Sequence, residues 1–94
     1  MITTNSIEAA LLLGSLRPGK YDLEKGVTFE LFESGTHLWK RDGQIERVGG
    51  PALVHWNGTR EWWIGGKRHR ENEPAIVRGD GTQEWWINGK RVQK

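Results

Sequence analysis

The stretch GTREWWIGGKR, Gly58 to Arg68, returns 23 residues later as GTQEWWINGKR, Gly81 to Arg91. Extending it in both directions turns a coincidence into a period. Residues 35–57 read GTHLWKRDGQIERVGGPALVHWN and residues 58–80 read GTREWWIGGKRHRENEPAIVRGD, identical at eight of 23 positions. Residues 58–71 and 81–94 are identical at nine of 14. A fixed period of this length marks a repeat architecture, in which each unit covers the apolar face of its neighbour.

Every unit carries two glycine turn signals. Ser34-Gly35, Asn57-Gly58 and Asp80-Gly81 hold one phase, and Asp42-Gly43, Gly65-Gly66 and Asn88-Gly89 hold the other. Such dipeptides accept the positive φ of two-residue hairpin turns, and the runs between them have the β-branched and aromatic composition of strands. Pro51 and Pro74 follow loop-like stretches and open strands, where a missing N–H is tolerated. The expected fold is mainly β: an antiparallel meander of 23-residue hairpin repeats in a single curved sheet. Units at 35–57, 58–80 and 81–94 follow a weaker partial unit at 18–34, so the array fills residues 18–94. Residues 1–17 form a cap, with a short helix from Ile7 to Leu13 opened by Thr4, Asn5 or Ser6 and ended by Gly14 and Pro18.

Composition suits a thin core. Only 35% of the 94 residues are hydrophobic, but six are tryptophan. A buried aromatic removes roughly 150–250 Å² from water, an upper bound of about 4–6 kcal/mol each. The formal charge is +2, with −1 over residues 1–59 and +3 over residues 60–94, a weaker basic bias than a duplex-DNA protein carries. With no cysteine there are no disulfides and no thiolate metal sites. The apolar run from Ile7 to Leu16 is too short to span a bilayer and has no basic residue ahead of it, so a soluble, cytoplasmic protein is expected.

Two-residue turns also predict the faces. Around Asn57-Gly58 they pair Val54 with Glu61, Leu53 with Trp62 and Ala52 with Trp63; around Gly65-Gly66 they pair Trp63 with Arg68. One predicted face holds Trp39, Trp62, Trp85, Leu53 and Ile76 as a core strip. The other holds Phe29, Leu31 and a set of six candidate partner-binding residues: Trp56, Trp63, Arg68, Arg70, Trp86 and Arg91. Tryptophan and arginine dominate binding hot spots, and Trp63–Arg68 and Trp86–Arg91 fit cation–π pairs.

Catalytic patterns fail on inspection. Gly14-Ser-Leu-Arg-Pro-Gly19-Lys20 has the glycine and lysine spacing of a phosphate loop, but Tyr21 stands where Ser or Thr must follow. His37, His55 and His69 have no metal-ligand spacing and no accompanying thiolates. No nucleophile–base pair is visible. The chain reads as a non-enzyme with no catalytic residue, metal or cofactor.

The motif GTxEWWxNGKR, followed by HR, PA and DG, resembles the membrane occupation and recognition nexus (MORN) repeats, in a tryptophan-rich version found in phages and large DNA viruses. Gly43, Gly66, Gly89, Trp63, Trp86 and His69 fall on that pattern, while Thr59 and Glu61 stand where the usual repeat has Tyr and Gly. The resemblance implies an interaction module, of the kind a phage uses to modulate a host protein. A protein partner is therefore expected. Single-stranded nucleic acid, with bases stacked on Trp63 and Trp86 and phosphates on the arginines, is the alternative. The C-terminal edge carries Lys90, Arg91 and Lys94, which fits either a short charged edge or a homodimer paired across it.

Overall fold

The computed structural model describes residues 3–93. Helix α1 (Thr4–Leu12) opens on Thr3, whose hydroxyl accepts the Ser6 N–H at 3.2 Å. The helix thus begins earlier than the expected Ile7 start, and its cap is Thr3 rather than Thr4, Asn5 or Ser6. Gly14, at φ 72°, ends it, and the Ser15 N–H reaches back to the Ala10 carbonyl at 2.9 Å.

Eleven strands follow: β1 (Gly19–Asp22), β2 (Val27–Leu31), β3 (His37–Arg41), β4 (Gln44–Ile45), β5 (Leu53–Val54), β6 (Arg60–Glu61), β7 (Trp63–Ile64), β8 (Lys67–Arg68), β9 (Ile76–Val77), β10 (Gln83–Ile87) and β11 (Lys90–Val92). Nine form one open antiparallel meander in the order β1-β2-β3-β5-β6-β9-β10-β11, with β4 on β3; β7 and β8 form a separate ladder. The expected mainly-β meander with an N-terminal helix is therefore the architecture of the chain. It is one sheet plus a detached arm rather than one uninterrupted sheet. The chain measures 40 × 29 × 18 Å, and only its N-terminal part is covered by a second layer, α1.

The two turn phases differ, and the difference overturns the predicted faces. Asp42-Gly43, Gly65-Gly66 and Asn88-Gly89 have positive φ at both residues and close two-residue turns, as expected. At the other phase only Gly35, Gly58 and Gly81 are left-handed. There the Gly58 N–H bonds to the His55 carbonyl and the His55 N–H to Thr59, so the loop holds three residues instead of two; residues 32–36 and 78–82 repeat the pattern. One extra loop residue shifts the register by one. Leu53 pairs with Glu61 and Val54 with Arg60, and every side chain beyond the loop changes face.

The observed faces follow from that shift. Trp39, Ala52, Trp62, Ala75 and Trp85 stand in one row across the sheet, because their neighbours Leu38, Leu53, Glu61, Ile76 and Glu84 pair in sequence. Large and small residues alternate, and Ala52 and Ala75 are fully buried between the indoles. Phe29 pairs with Trp39 and belongs to this face, not to the opposite one as predicted. Leu53 and Ile76 lie on the other face, away from Trp62.

The core is also narrower than expected. Ile7, Phe29, Leu31 and Trp39 form its buried cluster, under α1 and against β2 and β3. Trp39 is 2% exposed, while Trp62 and Trp85, expected to match it, are half-buried. The long β2–β3 ladder and α1 bury Trp39; nothing equivalent covers the later units.

Beyond the Trp row each unit raises a hairpin arm, and successive arms are tied together. The Gly66 N–H donates to the Ile45 carbonyl at 3.0 Å, and the Gly89 N–H to Arg68 at 2.9 Å. The Gly65 N–H donates to the Glu46 carboxylate at 2.8 Å, and in the next unit the Asn88 N–H donates to His69 Nδ1 at 3.0 Å. Lys90 and Arg91 are exposed along β11; Lys94 lies outside the described residues.

Candidate binding surface

The face opposite the Trp row carries a polar unit that occurs twice. Glu61 sits in the row of Leu38, Leu53, Ile76 and Glu84 and is 7% exposed. A buried carboxylate needs several donors, and three converge here. Oε1 accepts from Trp63 Nε1 at 3.0 Å and Arg68 Nε at 3.1 Å, while Oε2 meets His55 Nε2 at 2.7 Å. One period on, Glu84 Oε1 accepts from Trp86 Nε1 at 3.0 Å and faces Arg91 Nε at 3.8 Å, and Oε2 takes Arg78. His55/Arg78, Glu61/Glu84, Trp63/Trp86 and Arg68/Arg91 are therefore one constellation in two copies.

Between the copies lies Arg68, its guanidinium 5.2 Å from the Trp63 ring and 5.0 Å from Trp86. The predicted Trp63–Arg68 stack is present. Trp86 stacks on Arg68 instead of Arg91, which faces Glu84. Arg70 leaves this group altogether. It lies 3.8 Å from the Trp62 ring on the other side of the sheet, as the shifted register requires. Trp56 is also apart, 71% exposed in the loop after His55, with its N–H on the Thr36 hydroxyl at 3.1 Å.

Of the six predicted residues, four thus come together: Trp63, Arg68, Trp86 and Arg91. The sequence reading missed Glu61 and Glu84, the groups that hold them. Their signal was the pair Glu61-Trp62-Trp63 and Glu84-Trp85-Trp86 at one phase, each with an arginine seven residues after the acid. Read as a departure from a glycine position, the acid looked incidental.

Chemically the surface is suited to stacking. The indole N–H groups are already bonded, so the rings present faces rather than donors. Among the described residues no three His, Cys, Asp or Glu side chains come together, and no helix is long and apolar enough to cross a membrane.

Protonation couples these groups to stability. Burial alone raises the Glu61 pKa, but the bonds from His55, Arg68 and Trp63 outweigh it and hold the carboxyl below its ordinary 4.5. Arg78, then Trp86, lower Glu84 likewise. His37, on the other face beside Phe29 and Arg47, is lowered from 6.5, first by burial and then by the Arg47 charge. A lowered folded pKa means that the unfolded chain takes up protons first, so stability is complete above the unfolded value and falls with pH below it. Urea midpoints should therefore drop in two stages, from His37 below pH 6.5 and from the glutamates below pH 4.5. His37→Gln should remove the first stage only; a persistent first stage refutes the assignment.

No family model, curated protein or solved structure matches the chain. Function is argued from this geometry.

Proposed function

We propose that the chain is a non-enzymatic protein-binding module whose contact surface is Trp63, Arg68 and Trp86, with Arg91 at the rim. The observation that carries this is the position of Arg68 between two half-buried indoles whose N–H groups are already satisfied. Such a surface offers flat, rigid, amphipathic area at little entropic cost, which is how aromatic and arginine hot spots work. The MORN-like character of the repeat supports the same reading, and on that analogy the partner is a host protein docked by a phage-encoded modulator or immunity-type protein acting in the host cytoplasm.

Nucleic acid is the weaker alternative. Arg68, Arg78 and Arg91 face Glu61 and Glu84, so much of the positive charge a phosphate chain needs is neutralised in place. Salt-sensitive quenching of tryptophan fluorescence by oligonucleotides would reverse that preference.

The test is affinity capture with the chain and with its Trp63→Ser/Trp86→Ser variant, followed by mass spectrometry. Retention of a partner should fall about tenfold or more in the variant, as expected when two hot-spot aromatics are lost, while circular dichroism shows it folded. A folded variant that keeps the partner, or capture of nothing by the parent chain, rejects the proposal.

A further inference from the structure

Arg47 and Arg70 occupy the same position in successive units, and their guanidinium groups repeat the same contacts. Arg47 lies 4.3 Å from the Trp39 ring and donates through Nη1 to the Pro51 carbonyl at 3.4 Å. Arg70 lies 3.8 Å from the Trp62 ring and donates through Nη1 to the Pro74 carbonyl at 3.2 Å. The units part company at Nη2. That nitrogen of Arg47 binds Glu8 of α1, whereas that of Arg70 binds Glu73, in its own loop, at 3.0 Å.

The position equivalent to Glu73 in the first unit is Gly50. A Cβ there would lie 3.2 Å from the Arg47 guanidinium carbon, so the glycine leaves room around Arg47 and supplies no competing acid. The molecule thus shows what a Trp–Arg stack of this repeat receives when its own loop holds no carboxylate. It receives a helix, seated by one glutamate and flanked by aliphatics: Ile7 just before Glu8, in the core, and Leu11 three residues after it, packed against the core.

The second stack has no such cover. Trp62 borders an open trough of about 680 Å³ whose lining includes Arg47, His69, Arg70, Val48 and Pro51. Its charge is predominantly basic and its floor is aromatic, complementary to an acidic amphipathic helix.

We propose that the Trp62–Arg70 stack is a second helix seat, filled by an amphipathic helix of a partner protein. That helix presents a carboxylate with an aliphatic residue immediately before it and another three residues after it. The carboxylate takes Arg70 Nη2 from Glu73, whose side chain is 63% exposed and free to swing into water, while the aliphatics cover the Trp62 ring. The proposal rests on the binding-module reading but uses the opposite face of the sheet.

A stapled peptide of residues 3–13 carries this chemistry and serves as the probe. Titrated into the intact chain, it should shift the Trp62 indole signal saturably in a ¹H–¹⁵N spectrum that resolves the six indoles. Glu8→Gln in the peptide should weaken binding about fivefold, and Arg70→Gln in the chain should do the same. Glu73→Gly, which copies the first unit, should tighten binding about threefold and keeps the test informative if the arginine variant fails to fold. Four results overturn the proposal: no saturable change at Trp62, changes confined to Trp39 through displacement of α1, equal binding of the Gln peptide, or concentration-dependent Trp62 shifts without peptide, which make a second copy the occupant. Shifts confined to Trp63 and Trp86 also overturn it but leave the binding-module reading standing, since capture by the Trp63→Ser/Trp86→Ser variant judges that reading separately.

Discussion

Trp39→Ala should cost about 3–5 kcal/mol, the usual range for emptying a buried tryptophan site, and so unfold a large share of a domain whose total stability is about 5–15 kcal/mol. Trp39 is 2% exposed, its ring centroid is 4.7 Å from that of Phe29, and Arg47 stacks on it beneath α1. The same change at Trp62 or Trp85, both half-buried, should cost clearly less. Trp39→Phe is the instructive control. The Trp39 Nε1 is buried without a hydrogen-bond partner, so phenylalanine keeps much of the packing and removes an unsatisfied donor. Urea midpoints of the four variants give the order directly, and a Trp39→Ala effect no larger than that of Trp62→Ala would contradict a core centred on the first unit.

Glu61→Leu should be the most damaging single change on the opposite face. It strands the Trp63 N–H, Arg68 and His55 together. Breaking a buried ion pair costs about 3–5 kcal/mol, but Arg68 and His55 are each 35% exposed at the side chain, so water takes up part of the loss and about 2–3 kcal/mol is expected. The first unit shows how the same site works without charge. There the positions of His55, Glu61, Trp63 and Arg68 are held by Phe32, Leu38, Lys40 and Ile45. Installing all four residues of the first unit in the second should recover most of the stability that Glu61→Leu loses. If the four-residue exchange is no better than Glu61→Leu alone, the constellation is not a self-contained unit.

The period, the hairpin arms and the pairing of Trp63 with Arg68 were legible because each depends on residues close in sequence. The face assignment was not, because one dipeptide serves two turns. Asn88-Gly89 closes a two-residue arm with Asn88 at φ 50°. Asn57-Gly58 closes a three-residue loop, and there the Asn57 side chain accepts the Thr59 N–H at 3.0 Å. Asp80 and Ser34 do the same to Thr82 and Thr36. The distinguishing mark is the threonine after the glycine, which makes the side chain ahead of it an acceptor two residues back. It was present in the sequence at every unit. The burial of Trp39 was not legible at all, since it depends on β2 and on a helix some thirty residues away, and no periodicity within the repeats announces either.

The bonds between arms also set an order of assembly. Gly66 takes hold of Ile45 and Gly89 takes hold of Arg68, in both cases 21 residues earlier in the chain. A polypeptide emerging from the ribosome thus lays down each acceptor before the donor that needs it, and every new arm condenses on a finished template, like a terrace growing from a crystal step. Only short closures are required, so assembly is fast and exposes little sticky edge at any moment. Because the bonding partners recur every 23 residues, deleting or duplicating one period leaves the remaining joints intact, and array length can change by recombination without redesigning a single contact.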